Sequence, residues 1–161
     1  MAMVIVPCVT HLYNNNSIEQ FMKSETATYT GFEFEVDGFP ALAIINSDLK
    51  KLENKSQYPY SVFIQIIPDR FNENGHPEEE EYDYLNEVEK KIIEYLEEQT
   101  QSVHVGHTTI YRAREIIFYT KDREVVETFL EFFLETVERE NSFEIEDDAE
   151  WENVSAFYEL L

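Results

Sequence analysis

The alternation of apolar and polar residues predicts a β-hairpin near the middle of the chain. The residues on one face of its first strand recur at a period of two, and they are Val103, Val105, His107, Thr109 and Tyr111. An apolar run over 116–119 predicts the second strand. Gly106, inside the first strand, indicates a bulge or a close backbone approach. The turn over 111–114 lacks the Gly, Asn or Asp that two-residue hairpins prefer, so we expect a longer or irregular connection.

Helical periodicity flanks this hairpin on both sides. Apolar residues at spacings of three and four predict helices over 78–99 and 122–139, the second with Asp122 as N-cap. Alternating or apolar stretches predict further strands over 32–37, 40–46, 61–67 and 143–146. The order strand, helix, strand, strand, helix, strand predicts an α+β fold, a ferredoxin-like βαββαβ sandwich with both helices on one face. Residues 32–46 form an extra N-terminal hairpin that extends the sheet.

The length of 161 residues fits a single domain over 1–161. Residues 1–29 are a variable N-terminal segment, with a strand predicted over 3–9 and a short helix after Ser17. Residues 30–161 are the core, which ends in a short helix predicted from Glu150 onwards.

The chain carries a large excess of negative charge. It contains 34 acidic and 12 basic residues, a net charge of −22, and the excess is greatest over 122–161. Such a field repels nucleic acid and anionic membranes and steers basic proteins to the surface. A charge of this sign also serves simply to keep proteins dissolved. An RNA-recognition domain shares the predicted strand order, but the charge argues against it. We expect a basic protein partner, no direct nucleic acid and no membrane.

Cysteine usage and hydropathy favour a reducing compartment. Cys8 is the only cysteine, so no internal disulfide can form, and its apolar neighbours favour a packed thiol over a nucleophile. The N-terminus lacks the basic region of a signal peptide, and no stretch reaches the ~20 apolar residues of a membrane span. These features predict a cytoplasmic protein.

Candidate catalytic and metal-ligating residues are few. His104 and His107 lie three apart, and a regular strand places residues at odd spacing on opposite faces. A bulge at Gly106 would be needed to bring them together. The acidic run over 78–81 lacks the spacing of a calcium loop, and 4 glycines do not supply a phosphate-binding motif. We predict no catalytic residues, no metal and no cofactor, and we lean against an enzyme.

Aromatic, acidic and basic residues supply the candidate binding site. Trp151 is the only tryptophan, and it follows an acidic pair. Its segment either docks its aromatic rings on the sheet or helix pair, or offers a basic partner an aromatic anchor within an acidic rim. Two arginines near the hairpin turn either offset the acidic helices or contact a partner. The candidate binding residues are Asp147, Asp148, Trp151, Tyr158, Arg112 and Arg114.

Several short motifs occur in a specific order. They are Asp37-Gly38-Phe39-Pro40 before ALAIINSDL, Tyr58-Pro59 before a strand, NENGHP before an acid-rich helix with Leu85 and Glu89, Val105-Gly106, Arg114-Glu115 before IIFYTKD, and Asp147 to Trp151. Together they resemble the bacterial domain of unknown function 695 over about residues 30–161. The chain departs from that family at Tyr111-Arg112, where the family usually has Asn-Gly, and at its end, where Glu159-Leu160-Leu161 replaces a Tyr-Pro close.

The resemblance supplies no catalytic residues. The family is sometimes joined to a domain similar to the regulator of ribonuclease E activity B, an acidic protein that inhibits an RNA-degrading enzyme by binding it. This link implies a non-enzymatic acidic protein-binding module, a stoichiometric, immunity-like regulator or inhibitor of a basic partner such as a nuclease. The alternative is a small metal- or nucleotide-dependent hydrolase that uses clustered carboxylates. A third hypothesis is a sensor whose ligand binds between the added N-terminal strands and the helices.

Overall fold

Seven strands and three α-helices make up the fold in a computed structural model that describes residues 3–4 and 27–161. The strands are β1 (Met3–Val4), β2 (Tyr29–Val36), β3 (Phe39–Asn46), β4 (Tyr60–Ile67), β5 (Ser102–Ile110), β6 (Ala113–Thr120) and β7 (Glu140–Asp147). The helices are α1 (Glu79–Gln99), α2 (Arg123–Leu134) and α3 (Ser155–Glu159). Short 3₁₀ turns occur at Ser47–Lys51, Lys55–Gln57 and Glu152–Val154.

All strands belong to one antiparallel sheet in the order β1-β2-β3-β5-β6-β4-β7. The predicted α+β class is confirmed, and the β2–β3 hairpin extends the sheet next to β5 as expected. Asp37 and Gly38 form the turn of this hairpin, with φ values of 51° and 85°. An Asp-Gly pair accepts such left-handed backbone at little cost, which is why the sequence signals this turn so clearly.

Two apolar cores lie on opposite faces of the sheet. The helix face, which α1 and α2 cover, buries Val62, Ile64, Ile66, Ile116 and Phe118 of the sheet against apolar residues of both helices. The opposite face buries Phe32, Ala43, Ile45, Val105, Ile117 and Tyr119 against the C-terminal segment, residues 148–161. None of the helices in the described part of the chain is long and apolar enough to cross a bilayer.

The turn between β5 and β6 differs from the expected long connection. It is a two-residue turn, because Ile110 pairs with Ala113. Arg112 adopts a positive φ of 64°, and its N–H donates to the carbonyl of Gly75 at 2.8 Å. The ring of Tyr111 packs on Phe39 with 4.0 Å between centroids. Contacts from distant parts of the chain therefore hold a backbone shape that the local sequence does not favour.

Element boundaries differ from the predictions in the second half of the chain. α2 ends at Leu134 rather than at 139, and the carbonyl of Leu134 accepts from the Asn141 side chain at 3.1 Å. Asp122 precedes α2 as predicted, but its carboxylate accepts from the N–H of Gln101 instead of capping the helix. β7 begins at Glu140, three residues before the predicted strand. The predicted strand over 3–9 is described only at Met3–Val4, and the predicted Ser17 helix and Cys8 lie outside the described residues.

Candidate functional site

A cluster of charged side chains lies buried between α1 and the strands β5 and β6. Glu89 of α1 has no exposed surface. Its Oε1 lies 3.1 Å from His104 Nε2 and 2.9 Å from His107 Nδ1. Its Oε2 accepts a hydrogen bond from Arg114 Nη1 at 3.3 Å. We refer to Glu89, His104, His107 and Arg114 as the buried charge cluster.

A bulge in β5 brings the two histidines to the same carboxylate. The β5–β6 register shifts between His104 and Gly106, so that His104 and His107 both face α1 while Val105 faces the other side. The regular-strand expectation of opposite faces is therefore wrong. Gly106 has a φ of 144°, and a Cβ at this position would lie 1.9 Å from the carbonyl oxygen of Ile44. Only glycine fits this close approach of β3 to β5.

Opposing effects set the ionisation of the buried charge cluster. Burial alone would raise the pKa of Glu89, but His107, His104 and Arg114 outweigh it and leave this pKa below its usual range. Burial lowers the pKa of His107, although Glu89 opposes this effect. At neutral pH the cluster therefore holds an ionised Glu89 that faces the Arg114 guanidinium. Its charges are compensated internally, as buried charges must be.

Neighbouring polar groups add hydrogen bonds to the cluster. Tyr29 Oη lies 2.8 Å from His104 Nδ1, and Asn86 Oδ1 accepts from Arg114 Nη1 at 2.7 Å. The Arg114 guanidinium also lies 4.9 Å from the ring centroid of Tyr82. Within the described residues, no group of three or more His, Cys, Asp or Glu side chains is arranged to hold a metal ion. The cluster joins α1 to β5 and β6, Tyr29 links it to β2, and its burial favours a structural role.

Glu89 was not among the predicted site residues, although the sequence contains a signal for it. It lies four residues after Leu85 and three before Ile92, inside the apolar stripe that predicts the core side of α1. A carboxylate in such a stripe requires buried partners. The HVGH motif and Arg114 on the next two strands were the available partners.

The predicted aromatic anchor lies inside the protein. Trp151 is 2% exposed, stacks on Tyr119 with 4.0 Å between centroids, and donates its indole N–H to the carbonyls of Lys55 and Tyr58 at 3.1 Å each. Its φ of 58° lies in the left-handed region. This arrangement corresponds to the docking alternative, with the sheet as the docking surface.

Asp148 and Tyr158 hold the same C-terminal segment and are also buried. Asp148 accepts hydrogen bonds from the Tyr119 hydroxyl at 2.5 Å and from the N–H groups of Glu152 and Asn153 at 2.8 and 3.0 Å. Burial, followed by this hydrogen bond, raises the pKa of Tyr119. Asp148 thus fixes the start of the segment on the opposite face.

Two of the six predicted binding residues lie at the surface. The Asp147 side chain is 87% exposed, with Arg123 Nη1 3.9 Å away. Arg112 is exposed, and its guanidinium lies 4.3 Å from the ring centroid of Phe71. Arg114 points into the buried charge cluster, so the two arginines do not form one basic surface spot. A binding role for these residues remains a prediction.

Next to Asp147, the opposite face of the sheet presents carboxylates around an aromatic ring. Register places Glu144 of β7 beside Phe63 of β4. Glu146 lies two residue pairs further along β7, opposite Ser61, and Glu115 lies on β6, on the other side of β4. Phe63 is partly buried at the border of the opposite core. We call Glu115, Glu144, Glu146 and Phe63 the acidic sheet face.

The carboxylates of the acidic sheet face differ from Glu89 in their surroundings. Among the described residues, no ion pair joins a basic side chain to Glu115, Glu144 or Glu146. Burial raises the pKa of Glu115, and the charge of Glu144 raises it further. Glu115 and Glu144 therefore repel each other, whereas Glu89, the one carboxylate of the buried charge cluster, faces a guanidinium and two imidazoles.

A cavity of about 600 Å³ lies where the β2–β3 hairpin extends beyond α1. Glu33 and Glu35 of β2, Leu42 of β3, Tyr82 of α1 and His76 are among its lining residues. His76 Nε2 lies 2.7 Å from the carbonyl oxygen of Pro40. This is the place that the sensor hypothesis indicates for a ligand.

The fold and these surfaces define an α+β domain with one antiparallel sheet, a compensated charge cluster on its helix face and, on the other face, an acidic area in which Glu115 and Glu144 repel each other. The chain belongs to the family of unknown function DUF695, whose sequence profile matches residues 29–158. Comparison with curated proteins and with solved structures finds no significant match.

Proposed function

We propose that this protein is a non-enzymatic, acidic protein-binding module that captures a basic partner through the acidic sheet face. The observation that carries the proposal is the repulsion within that face. Glu115 and Glu144 lie close enough for the charge of one to raise the pKa of the other. A lysine or arginine from a partner would relieve this repulsion. The relief would contribute favourably to the free energy of binding.

The form of the surface supports a protein partner over a small cation. Phe63 contributes apolar contact area in the middle of the carboxylates, and interfaces combine such an apolar centre with a polar rim. The net charge of −22 adds long-range attraction for basic proteins. A nuclease fits this description, because proteins that bind nucleic acid present basic surfaces. Binding there would make the module a stoichiometric regulator or inhibitor.

Two further expectations belong to the same proposal. The ferredoxin-like plan is supported by the strand order β5-β6-β4-β7, with α1 between β4 and β5 in sequence and α2 between β6 and β7. A cytoplasmic location rests on the single cysteine of the sequence.

Charge reversal of the acidic sheet face tests the proposed function. Binding of the Glu144→Lys/Glu146→Lys variant to a panel of basic proteins that includes ribonucleases would be measured by calorimetry at low and high salt. We expect at least one unmodified pair to bind one to one and to weaken as salt rises. The reversal should weaken it by about tenfold or more, which corresponds to about 1.4 kcal/mol.

A matched control carries the same change in net charge on the helix face. Glu131→Lys/Glu135→Lys alters two exposed carboxylates of the α2 region. If this control weakens binding as much as the reversal of the acidic sheet face does, only net charge matters and the proposed site is wrong. If no basic protein binds with salt dependence, the proposed function itself is wrong.

A second candidate function is the small metal- or nucleotide-dependent hydrolase. The observation that favours it is the cavity at the β2–β3 extension, where Glu33, Glu35 and His76 line one volume. Carboxylates and a histidine serve in general acid–base hydrolysis, although these three side chains are not arranged to hold a metal ion by themselves. Thermal unfolding with Mg²⁺, Mn²⁺ and nucleoside triphosphates would test it. A rise in Tm that Glu33→Gln/Glu35→Gln removes would favour this candidate, and unchanged Tm values would contradict it.

A further inference from the structure

We infer that the outer edge of β7 accepts a partner strand in which basic and apolar residues alternate. This inference rests on the proposed function and specifies how the basic partner would bind. β7 is the last strand of the sheet, and no strand in the described part of the chain pairs with its outer side. Sheet edges of this kind bind extended peptides through main-chain hydrogen bonds.

The backbone direction of β7 follows from its neighbours. The N–H of Asp148 donates to the carbonyl of Pro59 at 2.8 Å, on the β4 side. Because main-chain groups alternate between the two sides of a strand in an antiparallel ladder, those of Phe143 and Ile145 point away from β4. Arg123 Nη2 confirms this direction, since it donates to the carbonyl of Ile145 at 3.3 Å. In the middle of the strand, the outward groups left for a partner are the N–H and carbonyl of Phe143 and the N–H of Ile145; the main-chain groups of Asn141 and Asp147 face the same way.

The side chains of β7 determine which strand would fit. Glu140, Glu144 and Glu146 are exposed and share the face opposite the helices. Phe143 and Ile145 are half-buried against the helix-face core. A neighbouring strand places its own side chains beside these two rows, so lysine or arginine on one face and apolar residues on the other would match both.

Charge also argues against a second copy of this chain as the occupant. Pairing of two β7 edges would place carboxylates of one copy beside those of the other, and like charges across strands destabilise a sheet. Carboxylates on an edge strand prevent self-association and still admit a basic strand.

The test uses the full-length protein and synthetic peptides of alternating lysine and valine, about eight residues long. Two isomeric peptides carry N-methyl groups, one on every lysine and the other on every valine. In a paired strand the N–H groups of only one of these sets face β7. We therefore expect one isomer to bind like the unmethylated peptide and the other to bind about tenfold more weakly or worse. Hydrogen exchange at the Phe143 and Ile145 amides should slow about tenfold when the unmethylated peptide binds.

Several outcomes would overturn the inference. Equal effects of the two methylation patterns, or unchanged exchange at both amides in the bound state, would show that basic segments bind without edge pairing. The proposed function would then stand, provided that Glu144→Lys/Glu146→Lys still weakens binding. Amides already protected in the free protein, or a concentration-dependent dimer in sedimentation, would show that the chain itself occupies the edge. Salt-independent binding of the peptide, or none, would contradict the inference about the β7 edge, whereas the proposed function would be contradicted only if the panel of basic proteins also showed no salt-dependent binding.

Discussion

Replacement of Glu89 by glutamine tests whether its carboxylate balances the charge of Arg114. The change removes one negative charge and leaves the volume of the side chain nearly unaltered. Both side chains have no exposed surface, so the guanidinium would remain in the interior without its counterion. Removal of one partner from a buried ion pair costs about 3–5 kcal/mol. We expect about 3 kcal/mol, because the glutamine carbonyl still accepts a hydrogen bond.

Urea unfolding, followed by circular dichroism and by the fluorescence of the single buried Trp151, measures this loss. At about 2–4 °C per kcal/mol for a domain of this size, Tm should fall by about 6–12 °C. Glu87→Gln is the matched control, because Glu87 lies exposed on the same helix. It should change stability by less than about 0.5 kcal/mol.

The pH dependence of unfolding gives a second measurement. The pKa of Glu89 is lower in the folded protein than in the unfolded chain. Its ionised form therefore stabilises the fold above the ordinary carboxyl pKa of about 4.3, and this contribution is lost as the pH falls. The Glu89→Gln variant should lose less stability than the unmodified protein between neutral and acid pH. Equal acid sensitivity, or a loss below about 1 kcal/mol at pH 7, would refute the assigned charge balance.

The remaining predictions concern the β5 bulge, the C-terminal segment and the second histidine. Gly106→Ala should cost about 3 kcal/mol in urea unfolding, because a Cβ would overlap the carbonyl of Ile44; Gly38→Ala, with open space around it, should cost only about 1 kcal/mol, and equal losses would contradict the steric argument. Trp151→Phe loses two hydrogen bonds and should cost about 2 kcal/mol while hydrogen exchange accelerates in the C-terminal segment; uniform acceleration over the whole sheet would argue against local release. The pKa of His107 is lower in the folded protein than in the unfolded chain, so the unfolded chain takes up a proton at this residue at higher pH and the protein loses stability as the pH falls below about 6.5. The His107→Gln variant should lack this loss, and a pH profile equal to that of the unmodified protein would contradict the assignment.

Local sequence patterns were sufficient to predict the elements whose conformation depends on neighbouring residues in the chain. The stripe of α1 predicted that helix to within one residue of its observed start at Glu79, and Asp37-Gly38 predicted the turn between β2 and β3. The turn at Tyr111-Arg112 could not be predicted in this way. Its backbone is held by Gly75, which lies far away in sequence. Where tertiary contacts override local preference, a single sequence contains little information about the result.

The candidate sites likewise include features that the sequence could predict and features that depend on tertiary contacts. HVGH was recognisable as a pair of histidines, but the face on which each lies depends on the bulge at Gly106 and on the close approach of β3. Glu89 was predictable in principle from its place in an apolar stripe. The burial of Trp151 and Asp148 was not, because a tryptophan beside carboxylates is equally compatible with an exposed anchor and with a docked segment.

The carboxylates on the two faces of the sheet have different surroundings. This difference distinguishes a carboxylate that stabilises the fold from carboxylates that are available to a partner. On the helix face, Glu89 is fully buried and each of its oxygens contacts a basic or imidazole group. Loss of one partner from a buried ion pair costs about 3–5 kcal/mol, so this carboxylate belongs to the fold. On the opposite face, Glu115 and Glu144 repel each other across β4. Folding gains nothing from that arrangement, whereas a basic partner would gain from it. The uncompensated carboxylates, rather than the large excess of charge itself, therefore indicate where such a partner would bind.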